Sequence, residues 1–452
     1  MDRRTFLAGA IGAAAATPAL AALDAAETPM LRGTLAPAEL GTDPGAKISQ
    51  TVSLQRLLDA ASEDDRQVFL PAGTFVVSDL VLPPRTRLAG VPGATKLVYG
   101  GGSHMIVGDH AETVEIRDIV IDGAGKALDE YVPGVLHLSE VRNVAIDNVT
   151  MVGSTKSGIA VDRCSGRITR CNVRGAGEAG IRAIESTGLT ISDNTVEDCG
   201  NAGILVYRWT AGEDGTIVTG NRIARISATA GGTGQNGNGI NVFRAHGVIV
   251  ANNRVADCAF TAIRANSANN VQITGNNTAR SGEVGIYSEF AFEGAMIANN
   301  IVDGAATGIC VVNFDNGGRL AVVSGNIVRN ITGKGPYDHE PPGFGIGIAI
   351  EADVAATGNV IDGAPLFGMQ LGWGPYLRDV AATGNVIRRA PLGIAVSVAE
   401  GAGSAVISDN LIAGANEGAI VGMRWTETAT GDLAQSGADR YPHLLVERNR
   451  VS

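Results

Sequence analysis

From about residue 140 the chain alternates apolar and polar positions in short bursts rather than in helical stripes. Each burst reads apolar–x–apolar, then a polar or glycine turn, then another short apolar run, then Gly-Ile and further alternation. Val144-x-Ile146-Asp147-Asn148-Val149 leads to Gly158-Ile159-x-Val161. Leu189-x-Ile191-x-Asp193-Asn194-x-Val196 leads to Gly203-Ile204-x-Val206. Asn172, Asn221, Asn253, Asn276, Asn300, Asn326, Asn359, Asn385, Asn410 and Asn449 extend the series, mostly 22–27 residues apart. Gly-Ile recurs at Gly180, Gly239, Gly285, Gly308, Gly345 and Gly393. A period of two marks strands. So short a unit cannot bury its own apolar face. Stacked units can, with each strand pairing in parallel with its equivalent one unit on.

The recurring Asn is expected to tolerate a left-handed turn and to stack in a side-chain ladder from coil to coil. The glycines are expected where a Cβ would clash. Twelve Asn-marked coils at ~4.8 Å each predict a rod of roughly 58 Å. The Leu-dense consensus and per-unit helix of a leucine-rich horseshoe are missing. The expected fold is therefore all-β: a right-handed, single-stranded parallel β-helix of about 12 coils.

Ahead of the repeats, Val52, Leu54, Leu57 and Leu58 space out one apolar face, predicting an amphipathic helix over 50–62. Such a helix would cover the exposed core of the first coil. Strand patterns follow at Val68-Phe69-Leu70 and Leu80-Val81-Leu82. The chain opens Met1-Asp2-Arg3-Arg4-Thr5-Phe6-Leu7, continues rich in Ala and Gly, and reaches Ala19-Leu20-Ala21. A charged start, a short apolar stretch and an A-x-A site read as an export signal. Arg3-Arg4-x-Phe6-Leu7 looks like the twin-arginine type. The expected organisation is a signal over 1–21, a flexible segment over 22–40, a cap and first coils over 41–100, and repeats over 101–452. The expected destination is the periplasm or the outside of the cell.

With this signal, these repeats and the Leu70-Pro71-Ala72-Gly73-Thr74-Phe75 turn, the chain resembles the twin-arginine-translocated repeat proteins among the pectate-lyase-like β-helices. The resemblance implies fold and export, and carries no activity.

Composition sharpens this. Glycine supplies 61 of 452 residues, about twice the usual share of ~7%. No collagen period accompanies it. A hydrophobic fraction of 45% excludes low-complexity disorder. The body holds no apolar run long enough for a bilayer. A net charge of −11 disfavours nucleic acid and anionic membranes as partners. Cys164, Cys171, Cys199, Cys258 and Cys310 are odd in number and form no C-x-x-C. Cys199 and Cys258 hold the same place in the repeat and read as small core fillers.

The enzyme signatures of related β-helices are missing. No Gly-His-Gly of polygalacturonases, no Asp-Pro-His-Asp of alginate epimerases and no Arg-x-Pro-x-x-Arg of pectate lyases occurs. Fold alone warrants no reaction. Along a strand alternate residues point outward, so the first and third residues after each Gly-Ile are expected to face solvent. That stripe and its edge bring out Tyr207, Arg208, Trp209, Asn241, Arg244, Asn266, Asn313, Glu351 and Trp373 as candidate sugar-binding residues. Arg264, Tyr287 and Glu289 are the candidate catalytic residues. Aromatic faces stack on sugar rings, and polar groups take the hydroxyls or carboxylates. In a lyase or epimerase, Arg264 would neutralise a uronate and Tyr287 would exchange a proton. In a hydrolase, Glu289 and Glu351 would be acid and base. Long segments at 231–238 and 333–343 interrupt the repeat, as functional loops often do. Asp338-His339-Glu340 are metal-binding types, but neighbours on one loop make a poor cage. No metal or cofactor is expected.

The leading expectation is an exported protein that binds a polysaccharide, with acidic ones among the candidates. Lyase, epimerase or hydrolase chemistry is its stronger form. The alternative is a non-catalytic structural or carbohydrate-binding repeat protein.

Overall fold

The computed structural model describes residues 47–452, Gly45 and the backbone of Thr34–Leu35. The twin-arginine segment at 1–21 lies outside the described residues. So does 22–40, apart from Thr34–Leu35, whose backbone pairs in parallel with Gln67 and Val68.

Each turn of the chain supplies one strand to each of three parallel ladders. One coil contains Ile217–Thr219, Arg222–Ile226 and Asn238–His246. On the next coil Ile249, Val255 and Ile263 sit directly over Ile217, Ile223 and Ile240. The first ladder holds 16 strands. The second and third fuse where Asn277–Glu289 and Ile301–Val311 run unbroken through both. The result is a parallel β-solenoid of about 14 turns. It exceeds the expected 12 because coils before residue 140 carry no marker Asn. At the C-terminal end the hairpin Gly418–Arg424 and Glu427–Asp432 pairs antiparallel.

The inward side chains, such as Ile191, Val196, Ile204 and Val206, are fully buried. The Gly before each Ile is a matter of space. A Cβ on Gly203 would sit 2.4 Å from the Gly239 carbonyl oxygen and 2.7 Å from Ile223. Cys199 and Cys258 fill the core beside Gly180 and Gly239. All five cysteines are buried and free.

The Asn ladder is real, but its reason differs from expectation. The left-handed residue is the one before it: Asp193, Gly220, Asn252, Gly275, Asn299, Gly325, Gly358, Gly384 or Asp409. The ladder Asn itself is buried. Asn276 Nδ2 donates to Asn300 Oδ1 at 3.0 Å and to the Val250 carbonyl at 2.9 Å. The Asn276 backbone N–H also donates to Asn300 Oδ1, at 2.9 Å. The chain of bonds runs from Asn194 to Asn449. Asn148 and Asn172 stand outside it. Asn148 is the left-handed residue of its turn. Cys171 occupies the ladder position ahead of Asn172 and donates its backbone N–H to Asn194.

The cap helix spans Thr51–Glu63, one residue later than expected, and buries Leu54, Leu57, Leu58 and Ala61. At its start the Ser49 hydroxyl accepts the Thr51 N–H at 3.4 Å. Gln55 pins the helix to the Val81 backbone, donating at 2.7 Å and accepting at 3.0 Å. No helix among the described residues is long and apolar enough to cross a membrane.

Candidate functional site

The third ladder carries the stripe that follows each Gly-Ile. It points away from the core, as alternation requires, yet much of it does not face solvent. Asn241, Arg264, Glu289, Cys310, Ala349 and Gln370 are buried. Val284, Cys310, Ile346, Ala349, Phe367 and Leu392 form a second apolar cluster outside the coil interior. The cause lies in the two long segments. Gly234 lies against Arg264, Tyr337 reaches Glu283, and the 339–344 stretch encloses one recess with Tyr287, Cys310 and Ala349.

Beneath these segments is an ionic cluster. Arg264 Nε donates to Glu289 Oε1 at 2.5 Å, and Asn266 Nδ2 donates to the same oxygen at 2.7 Å. Arg264 also donates to the Gly234 carbonyl, which comes close because position 234 has no side chain. The same nitrogen, Nη1, is 3.9 Å from Glu283. Glu283 accepts from Thr261 Oγ1 at 2.7 Å and from the Tyr337 hydroxyl at 2.7 Å. Burial raises the Glu289 carboxyl above its ordinary value, with Arg264 and Asn266 opposing. Burial, reinforced by Glu289, pushes the Tyr287 phenol well up. Tyr287 is therefore a proton-bearing phenol, with Arg264 over its ring at 5.5 Å. The Arg264 charge is already balanced by carboxylates.

Glu283 escapes the sequence reading. Its place, two residues ahead of Gly285-Ile286, is the place of Glu178 ahead of Gly180-Ile181, and Glu178 is exposed. What sets Glu283 apart is its cover, Thr261 from the coil before and Tyr337 from 54 residues later.

Two recesses open on this face. The smaller is lined by Tyr207, Gln235, Asn241, Phe243, Arg264 and Asn266. There Asn241 Nδ2 donates to the Tyr207 hydroxyl at 2.8 Å. The larger, about 420 Å³, is lined by Glu283, Tyr287, Asn313, Asp315, Glu340, Phe344, Glu351, Trp373, Tyr376 and Trp425, among others. Glu289 lines neither recess. Arg208, Trp209 and Arg244 lie at a separate edge. Arg208 pairs with Glu185 at 3.0 Å. Trp209 is 64% exposed. Arg244 donates to the Trp209 carbonyl at 2.8 Å and stacks over Phe243. The expected single stripe is thus split into three places.

The larger recess has an aromatic wall. Trp373 and Trp425 meet edge to face at 5.4 Å between centroids. Gly374 makes this possible: its φ is +56°, and a Cβ there would sit 2.4 Å from the Trp425 ring. Glu351 lines the same recess, and its Oε2 accepts the Phe314 backbone N–H at 2.7 Å. Burial lifts its carboxyl to about 7, against the Phe314 and Asn313 N–H bonds, with Asp315 adding to the rise. A carboxylic acid poised near neutrality in a recess is suited to moving protons. Trp425, Tyr376 and Asp315 stand just past the strands, where sequence alternation carries no information on direction. Among the described residues no three His, Cys, Asp or Glu side chains are arranged to hold a metal ion.

The model of the right-handed β-helix region matches residues 133–319 and 210–387 of this chain, together more than half of it. The chain belongs to the right-handed β-helix family. Among solved structures, pre-mature gene product 12 of bacteriophage phi29 matches this β-helix at a TM-score of 0.53 and 15% identity. The match covers 86% of this chain and 54% of that one, so the chain spans about half its length. PfbA, a surface adhesin of Streptococcus pneumoniae, matches at 0.48 and 14%, covering 86% and 91%. The catalytic unit of the thermostable GH87 alpha-1,3-glucanase from Streptomyces thermodiastaticus matches at 0.45 and 15%, covering 93% and 69%. The likeness to gene product 12 is one of fold.

Proposed function

We propose that this β-helix is an exported protein that binds a polysaccharide in the larger recess and hydrolyses it. The observation that carries the reading is Glu351. It is a carboxyl held at about 7 in a recess that Trp373, Tyr376 and Trp425 also line. Sugar rings stack on such walls. Hydrolysis of a glycoside needs one protonated and one ionised carboxyl flanking the bond. In this reading Glu351 gives its proton to the leaving oxygen as the glycosidic bond breaks. Asp315, exposed at the mouth, takes the proton of the water that attacks the anomeric carbon. Tyr287 and Asn313 line the floor and orient the sugar. Arg264 and Glu289 hold the wall between the recesses. The smaller recess, with Tyr207, Asn241 and Asn266, takes a more distant sugar. The Arg3-Arg4-x-Phe6-Leu7 start supports the twin-arginine route and kinship with the twin-arginine-translocated repeat proteins.

The bound and truncated charges favour hydrolysis over uronate lyase chemistry. Arg264 has no charge to spare for a uronate, and Tyr287 holds its proton too firmly to act as a base. The test is release of reducing ends from a panel of soluble glycans, by the wild type and by Glu351→Gln. Cleavage lost at least a hundredfold in the variant, with binding kept, is expected for a lost proton donor. Equal cleavage by both, or unsaturated uronate products, would sink the proposal.

A further inference from the structure

Charge in the larger recess is one-sided. Glu283, Asp315, Glu340 and Glu351 line it, one imidazole, His339, stands among them, and no Lys or Arg does. The guanidiniums nearby are committed elsewhere. Arg264 is held by Glu289 and the Gly234 carbonyl. Arg378 bonds Asp353 at 2.8 and 2.6 Å and lays its plane on Phe314 at 4.4 Å. A uronate in this space would set a carboxylate beside Asp315 and Glu340, with no Lys or Arg in the lining to answer it. A low-dielectric recess lined by one sign of charge also focuses its field on whatever enters.

We infer that the recess takes a polysaccharide bearing free amino groups, a cationic amino-sugar polymer. This rests on the reading of the recess as a glycan site. An ammonium finds there what it needs: carboxylates to accept its hydrogens and the faces of Trp373, Tyr376 and Trp425 to accept its charge. The same wall stacks the pyranose ring. Both kinds of contact lie within one cavity of about 420 Å³, which suits a polymer of rings better than a chain of flexible side chains. This departs from the acidic glycans that the sequence kept among the candidates. Their candidacy rested on Arg264, whose charge the fold neutralises.

The full chain is titrated calorimetrically with glucosamine, N-acetylglucosamine and galacturonic acid hexasaccharides, and with oligolysine, and cleavage of each sugar is followed. The glucosamine hexamer is expected to bind about tenfold more tightly than the acetylated one, a preference that salt erodes. The galacturonate hexamer is expected not to bind. Glu340→Gln, on the exposed loop, should weaken glucosamine binding about threefold and so narrow its lead over the acetylated sugar. Acetylated or uronate sugars bound as tightly as the amine overturn the inference. If Glu351 is still required for their cleavage, the hydrolase reading survives that failure. Glucosamine preference without any cleavage keeps the inference and overturns hydrolysis. Oligolysine bound as tightly as the sugar overturns the assignment to a glycan.

Discussion

Asn299 and Asn300 are neighbours in sequence with opposite jobs, and exchanging them separately tests how the coils are joined. Asn300 is buried; Asn299 is exposed at φ +57°. Asn300→Ala removes four bonds. Nδ2 no longer reaches the Ile273 carbonyl at 2.8 Å or Asn326 Oδ1 at 3.0 Å. Oδ1 no longer accepts from Asn276 N at 2.9 Å or Nδ2 at 3.0 Å. Two of the groups left behind keep a second partner: Asn276 Nδ2 retains Val250 and Asn326 Oδ1 retains the Asn300 N–H. The buried Asn276 N–H keeps none. An orphaned buried donor costs about 1–3 kcal/mol, and each lost bond with a remaining partner costs less, giving a total of ~2–4 kcal/mol. The cost falls on one coil-to-coil contact, because a solenoid is stabilised by nearest neighbours. Urea unfolding should shift by that amount. Exchange of the Asn276 amide should accelerate at least ~30-fold, since 1.4 kcal/mol is tenfold. Asn299→Gly, where glycine adopts the left-handed turn without strain, should change stability by less than about 0.5 kcal/mol. An Asn300→Ala protein within about 0.5 kcal/mol of wild type, with Asn276 exchange unchanged, would refute the ladder as the joint.

Three further outcomes follow from the site. In Glu351 the folded carboxyl sits at about 7 against an ordinary 4.5, so the folded state binds the extra proton and stability falls as pH rises from about 4.5 to 7. Glu351→Gln should flatten that slope and be more stable than wild type at pH 8, by up to about 3 kcal/mol; parallel urea midpoints of the two proteins across this range would contradict it. Arg264→Met strands Glu289 in the interior and should cost about 3–5 kcal/mol at pH 8. Burial already raises the Glu289 carboxyl, so lowering the pH shifts it toward its neutral form and should recover part of this, as should adding Glu289→Gln; a loss independent of pH would count against the pairing. Tyr337→Phe removes one donor from Glu283 and should cost ~1–2 kcal/mol, read as faster amide exchange confined to 333–343, with unchanged exchange there as the contrary result.

The sequence alone determined the solenoid, because its repeat is local: each burst of alternation makes a strand, and strands of like pattern can only bury themselves by stacking. It determined the cap helix to within a residue, since Leu54, Leu57 and Leu58 mark one face, although Val52, read with them, is exposed and Ala61 is buried in its stead. It placed the Gly of each Gly-Ile at a crowded point, and the Gly203 geometry agrees. It misassigned the turn conformation by one position, since Asp, Asn and Gly all precede the ladder and only hydrogen bonding tells the buried Asn from its left-handed neighbour. It identified the outward stripe but not its fate. Alternation states which way a side chain points from its own strand; it says nothing of what returns from elsewhere to cover it. Whether Glu289 is a reagent or a buried counter-ion, and whether Glu283 faces water or Tyr337, depends on segments tens of residues away. The recess of Glu351, Trp373 and Trp425 is likewise assembled across separate coils. Long-range contact sets burial, burial sets charge, and charge selects the chemistry.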